Sequence, residues 1–172
     1  LETLQMRKVD EGQRDQFYRV MMEDVDRLDQ LISQLLQIGR LDAVVTESEL
    51  EDVEMEPLLR RCAETACRAH HRPPETVQIK VEPTFARGAR LALEMIFGNL
   101  IDNAVKYGGS TPEVEIEVAF VSPDRVVTRI ADNGDGVPID HRAKIFGLFF
   151  RGGSELERTK KGTGLGLYIV HT

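Results

Sequence analysis

Four short segments in the second half of the chain hold residues that could do chemistry together. The first is Asn99-Leu100-Ile101-Asp102-Asn103-Ala104-Val105-Lys106-Tyr107. At ~100° per residue of a helix, positions 99, 103 and 106 fall within an arc of roughly 60°, so two carboxamides and an ammonium share one face. Leu93, Ile96, Phe97, Leu100 and Ala104 take the other side and are expected to pack on a sheet. Mg²⁺ suits such a face, because it takes oxygen ligands while keeping waters and phosphate oxygens. A carboxamide can bind it without adding a negative charge beside a triphosphate, and Lys106 can act as a point charge on the phosphates. The same pattern also reads as a solvated helix face.

The second segment, Asp132-Asn133-Gly134-Asp135-Gly136, follows an expected strand directly. A carboxylate at a strand end can accept the exocyclic amino group of adenine and would reject a guanine carbonyl there. Gly134 and Gly136 permit close approach of backbone to a flat ring. Standing alone, the segment is equally a turn or a calcium-like loop, although the spaced glutamate of an EF-hand is absent. The third, Phe146-Gly147-Leu148-Phe149, continues into Phe150 and Arg151. The phenylalanines are expected to anchor the base of a loop, and Arg151 could reach phosphates or be solvated.

Gly162-Thr163-Gly164-Leu165-Gly166-Leu167 closes the set where a polar tract meets an expected helix. Backbone N–H groups in such a run form an anion nest. No Gly-Lys-Ser/Thr follows, which excludes a P-loop, and no strand leads in, which argues against a dinucleotide fold.

Positioning these segments requires a scaffold. Residues 14–41 are expected as one long helix, with Phe17, Met21, Leu28, Leu31, Leu35 and Ile38 in alternating four- and three-residue steps broken only by Asp24, and Val20, Val25, Ile32 and Leu36 widening the stripe. Residues 1–9 are expected as a short amphipathic piece, and Asp10-Glu11-Gly12 as a turn. Residues 50–55 and the alternating runs Val77–Val81, Val114–Phe120 and Val126–Ala131 read as strands, the last two joined at Pro123-Asp124. Helices are expected from Pro57 to about His70 and from about Arg87 to Tyr107. The order implies an α+β fold, an antiparallel-rich sheet with helices on one face. The tract 152–162 is polar and without period, and is expected as a mobile loop.

With 172 residues, 41% hydrophobic and 30% charged, the chain is expected to fold as a globular domain with a small appendage. A net charge of −7 argues against a nucleic-acid binder. No run approaches the ~20 apolar residues of a membrane span, so no direct membrane contact is expected and the chain is placed in the cytoplasm, though a longer parent could be anchored in the inner membrane. Cys62 and Cys67 diverge by roughly 140° on one helix and are expected as free thiols. His70-His71 reads as a helix end rather than a metal site.

The ordered set resembles the asparagine and glycine boxes of sensor histidine kinases of two-component signalling, within the Bergerat-fold ATPases. The resemblance implies a two-layer α/β sandwich over residues 46–172 that binds ATP under a flexible lid. It implies Asn103 as a Mg²⁺ ligand with Asn99 beside it, and Lys106 and Tyr107 on the nucleotide. It further implies Asp132 reading adenine beside Gly134 and Gly136, Phe149 and Arg151 at the lid, and Gly162, Thr163, Gly164, Leu165 and Gly166 holding the phosphates. Residues 1–45 resemble part of the family's dimerisation hairpin, which assembles as a four-helix bundle. The family's acceptor histidine motif is absent, since His70, His71, His141 and His171 all lie elsewhere.

The activity implied by the resemblance is that of a Mg²⁺-dependent kinase core in a homodimer. Such a core passes the γ-phosphoryl of ATP to a histidine, here outside this chain, and then to an aspartate of a response-regulator receiver domain. Two other readings stand beside it. One is a non-catalytic nucleotide-sensing module. The other is a related ATPase or serine kinase, although gyrase-type and chaperone-type ATPases place a glutamate where Asn99 stands.

Overall fold

A computed structural model describes residues 11–44, 50–122, 125–152 and 162–171. Helix α1, Glu11–Val44, extends three residues beyond each end of the expected range and takes in Glu11 and Gly12, which the sequence suggests as turn. The 1–9 piece, Asp10, the domain boundary near residue 45, the Pro123-Asp124 turn and most of the 152–162 tract lie outside the described residues. On α1, Phe17, Val20, Val25, Leu28, Ile32 and Leu36 are all exposed, and Met21 is half-buried. The side chains of Leu31, Leu35 and Ile38 also fall outside the described residues.

Strand β1 (Glu51–Glu54) runs straight into helix α2 (Met55–Ala69). Met55 is helical rather than the end of the strand, and its N–H donates to the Thr84 carbonyl at 2.9 Å. Met55, Leu58, Leu59, Ala63, Ala66 and Cys67 recur at helical spacing and are all buried. At the far end the Arg72 N–H returns to the Cys67 carbonyl (2.8 Å) and the His71 N–H to that of Arg68 (3.2 Å). This is a Schellman closure, with His71 at φ 52° in the left-handed position that usually falls to glycine.

A 3₁₀ turn (Pro74–Thr76) precedes β2 (Val77–Val81). Next comes β3 (Phe85–Gly88), which the sequence reading places in loop and helix. It pairs antiparallel with β1, from Glu51 opposite Gly88 to Glu54 opposite Phe85. Helix α3 therefore begins at Arg90, not Arg87, and runs to Tyr107. β4 (Val114–Ser122), β5 (Arg125–Asp132) and a short α4 (Gly166–His171) complete the described elements.

The larger sheet has the order β2-β4-β5. β4 and β5 form the expected antiparallel hairpin, but β2 lies parallel to β4, so the sheet is mixed. A parallel pair needs a long crossover, and the connection carrying α3 supplies it. Alternation then sorts the side chains. Val77, Val114, Ile116 and Val118 face a core shared with α2 and α3, while an ion pair of Lys80 with Glu115 and another of Arg129 with Glu117 (3.6 Å) stand on the open face. The result is the two-layer α+β sandwich that the sequence implies.

The inward face of α3 differs in detail from expectation. Phe97, Ile101, Ala104 and Val105 enter the core, whereas Ile96 and Leu100 are only half-buried. Met95, on the side of α3 away from that core, is buried against Leu165 and Ile169. The helix is thus packed on two sides, which a single apolar stripe does not convey.

Candidate functional site

The face of α3 opposite the core carries Asn99, Asn103 and Lys106, as the spacing predicts, and Met95 lies beside it. Asn99 is half-buried, and its Nδ2 donates to the Met95 carbonyl at 2.8 Å. That bond turns the carbonyl Oδ1 toward the 162–166 segment, where a Cβ on Gly166 would sit 2.7 Å from it. Asn103, one turn on, is half-buried, and its carboxamide makes no hydrogen bond among the described residues. Lys106 Nζ lies 5.1 Å from the centre of the exposed Tyr107 ring. A Cβ on Gly162 would stand 2.5 Å from the same ammonium.

The glycine-rich segment is therefore applied directly to α3, with Gly162 over Lys106 and Gly166 over Asn99. A buried hydrophobic plug holds it there: Leu165 is fully buried with Met95 and Ile169. Thr163 is also buried, and its Oγ1 accepts from the Leu165 N–H at 3.4 Å. Between them Gly164 adopts φ +76°, and a Cβ there would fall 2.7 Å from the Phe149 carbonyl carbon and 2.9 Å from the Phe150 oxygen. A left-handed glycine within such a run is a backbone setting in which successive N–H groups can turn toward an anion.

The phenylalanines do not act as one anchor. Phe150 is half-buried and meets His141 edge-on at 5.5 Å, and Phe146 meets His171 at 5.3 Å. Phe149 instead has φ 59° and an exposed ring, because its backbone is what Gly164 packs against. Arg151, half-buried, follows directly.

Asp132 ends β5, exposed, with Oδ1 accepting from the Gly134 N–H at 2.9 Å. Its other oxygen makes no hydrogen bond among the described residues. A Cβ on Gly134 would collide with the Tyr107 carbonyl, so this turn nests on the C-terminal end of α3. Gly136 has φ +71°. Asn133, absent from the sequence-derived set, bonds to the α3–β4 loop through Thr111 and Glu113. All four segments thus meet around one end of α3.

His70 is a helix end as expected, with its Nε2 2.8 Å from Asp102 Oδ1, tying α2 to α3. No cluster of three or more His, Cys, Asp or Glu suited to a metal occurs among the described residues. Cys62 and Cys67 are free thiols, pushed up by burial, with Glu94 adding to the shift at Cys62 and Glu75 at Cys67. A shallow depression of about 410 Å³, lined by Phe85, Arg87, Phe120 and Arg125 among others, lies at the opposite end of β5 and includes none of the site residues.

Residues 88–172 match the family described as histidine kinase-, DNA gyrase B- and HSP90-like ATPases. The signal transduction histidine-protein kinase AfsQ2 of Streptomyces coelicolor is 30% identical over 153 residues, 88% of this chain and 27% of that protein. Among solved structures, the mycobacterial sensor histidine kinase MprB aligns with a TM-score of 0.60 at 27% identity, covering 71% of this chain and 76% of that one. ShkA, solved full-length in complex with AMPPNP, aligns with a TM-score of 0.64 at 32% identity over 95% of this chain and 34% of that one. The chain spans about a quarter of the length of the first curated relatives it matches, 25–27%. With its motifs gathered at one site and these relatives beside it, the chain belongs to the histidine kinase-, DNA gyrase B- and HSP90-like ATPase family, in the company of sensor histidine kinases.

Proposed function

We propose that this chain is the ATP-binding kinase core of a two-component sensor histidine kinase, with residues 46–172 as the catalytic domain and residues 1–45 as part of a dimerising helical hairpin. The observation that carries this reading is the seating of the glycine-rich segment on α3, Gly162 over Lys106 and Gly166 over Asn99. It leaves backbone N–H groups, an ammonium and two carboxamides facing one volume, the equipment needed to bind and position a triphosphate.

In this reading Asp132 accepts the amino group of adenine through the oxygen not engaged by Gly134. Gly134 and Gly136 let the turn lie close to the base, and Tyr107 and Phe149 present exposed rings at its border. Lys106 and the N–H groups of Gly162, Thr163, Gly164 and Gly166 hold phosphate oxygens, with Leu165 seating the run on α3 and Arg151 within the same rim. The donor set fits Mg²⁺, since Asn103 has an uncommitted carboxamide and the Asn99 carbonyl oxygen is turned by the bond to Met95 toward the glycine-rich segment that would hold the phosphates. When bound, Mg²⁺ neutralises charge on the phosphates. Asn99 and Asn103 are the residues that would hold it, without bringing a carboxylate to the anion. Asn99 also offers no general base for water, so hydrolysis is not favoured over transfer.

Transfer would exchange the γ-phosphorus bond to ADP oxygen for one to an imidazole nitrogen outside this chain, and next for one to a receiver-domain aspartate. The exposed apolar side chains of α1 suit helical packing against a second copy of the chain. No helix among the described residues is long and apolar enough to cross a membrane. The test is to supply this domain within a longer chain that carries the acceptor helix, with γ-labelled ATP and Mg²⁺. Acid-labile, alkali-stable label on histidine is the expected result. Release of inorganic phosphate with no protein-bound label would instead favour a hydrolytic relative.

A further inference from the structure

Asn133 stands between two residues of the site, yet its hydrogen bonds leave its own turn. Its N–H donates to the Glu113 carbonyl at 3.2 Å, and its Oδ1 accepts from the Glu113 N–H at 2.9 Å. Its Nδ2 donates to the Thr111 carbonyl at 3.0 Å. Asparagine in such a turn usually bonds to its own backbone nearby. Here the side chain reaches 20 residues back, prolonging the β4–β5 pairing beyond its last partners, Val114 and Asp132.

The loop it grips is itself held from a third element. Arg72, aimed by the Schellman turn at the end of α2, donates to the carbonyls of Ser110 (2.9 Å) and Gly109 (3.5 Å). A brace therefore runs from α2 through the 109–113 loop to Asn133, whose two neighbours in sequence are Asp132 and Gly134. Gly134 is the residue wedged on the Tyr107 carbonyl, and it donates to Asp132 Oδ1. Without the Asn133 side chain, the backbone bond to Glu113 is the one hydrogen bond of Asn133 that still ties the turn to the 109–113 loop. The Asp132 carboxylate then loses its fixed height above the end of α3.

We infer that Asn133 is a positioning residue, which sets the orientation of the Asp132 carboxylate and with it the preference of the site for adenine over a 6-oxo purine. The inference rests on the assignment of Asp132 as the base acceptor. An interaction with one amino group tolerates little displacement, so the effect falls on base discrimination before it falls on phosphate binding.

The experiment measures affinities of the full chain for Mg·ATP and for Mg·ITP, which carries an oxo group where adenine has the amino group. Wild type, Asn133→Ala, Asn133→Asp and Asp132→Asn are compared, with thermal melts to establish folding. Asn133→Ala is expected to weaken ATP about tenfold and leave ITP within about twofold. Asn133→Asp, which retains the acceptor toward Glu113 but loses the donor toward Thr111, is expected to fall between. If the alanine variant does not fold, the aspartate variant carries the same comparison. An Asn133 variant that keeps the wild-type ATP-to-ITP ratio, whether both affinities stay or both fall, overturns the inference, provided Asp132→Asn loses ATP selectively. If Asp132→Asn moves ATP and ITP alike, the base-acceptor assignment fails first, and the role given to Asn133 fails with it.

Discussion

Single atoms decide much at this site, and the glycines show it most directly. At Gly166 a methyl group would press on the Asn99 carbonyl oxygen at 2.7 Å, an atom fixed by its partner bond to Met95. Gly166→Ala is therefore expected to weaken Mg·ATP at least about tenfold, with a loss of stability of about 1–2 kcal/mol. Calorimetric titration beside a urea melt checks both, and unchanged affinity would contradict the arrangement. The thiols give a second expectation at this scale. Burial raises both, which lowers the thiolate fraction, so Cys62 and Cys67 should alkylate at pH 8 at least about tenfold more slowly in the native chain than in urea. Iodoacetamide labelling followed by mass spectrometry measures this, and rapid native labelling of either residue would contradict it. Asn99, Asn103, Lys106 and Asp132 are legible in the sequence, because each owes its place to local spacing. Asn133 is not, since what distinguishes it is a set of bonds to backbone atoms beyond its own turn.

Elements were readable where one face meets one core. β4 alternates Val114, Ile116 and Val118 inward against Glu115 and Glu117, and its strand is plain from that pattern alone. β3 is not readable, because Phe85-Ala86-Arg87-Gly88 pairs with β1 while burying none of its own side chains fully; its phenylalanine is exposed, and the buried residue of the ribbon is Val53 on β1. For α3, the second packing side formed with Leu165 and Ile169 depends on a segment distant in sequence, so the periodicity of the helix by itself puts Ile96 and Leu100 too deep. The end of α2 carries a prediction of its own. His71 occupies the left-handed position with its side chain exposed and φ 52°. His71→Gly is expected to stabilise the chain by about 0.5 kcal/mol, relief of left-handed strain exceeding the added freedom of the unfolded chain. A lower urea midpoint in that variant would contradict this account of the helix end.

For the molecule as a whole, two layers and one end of α3 account for the site, while α1 is a largely polar helix that carries exposed apolar side chains. Association through α1 is expected to be reversible, with dissociation at micromolar concentration. Leu28→Glu, on an exposed position of that helix, should shift the chain to monomer without altering ATP affinity. Sedimentation velocity across a concentration series checks this, and a dimer that persists at nanomolar concentration or survives the substitution would contradict it. On the proposed function, the gathered motifs form an ATP site that reads the base through Asp132 and the phosphates with Mg²⁺. The most direct test is calorimetric titration of the chain with ATP, with and without Mg²⁺, alongside GTP and the Asp132→Asn variant. Mg²⁺-assisted binding of ATP, absent for GTP and lost in Asp132→Asn, is the predicted result; binding of both nucleotides alike, or of neither, would contradict it.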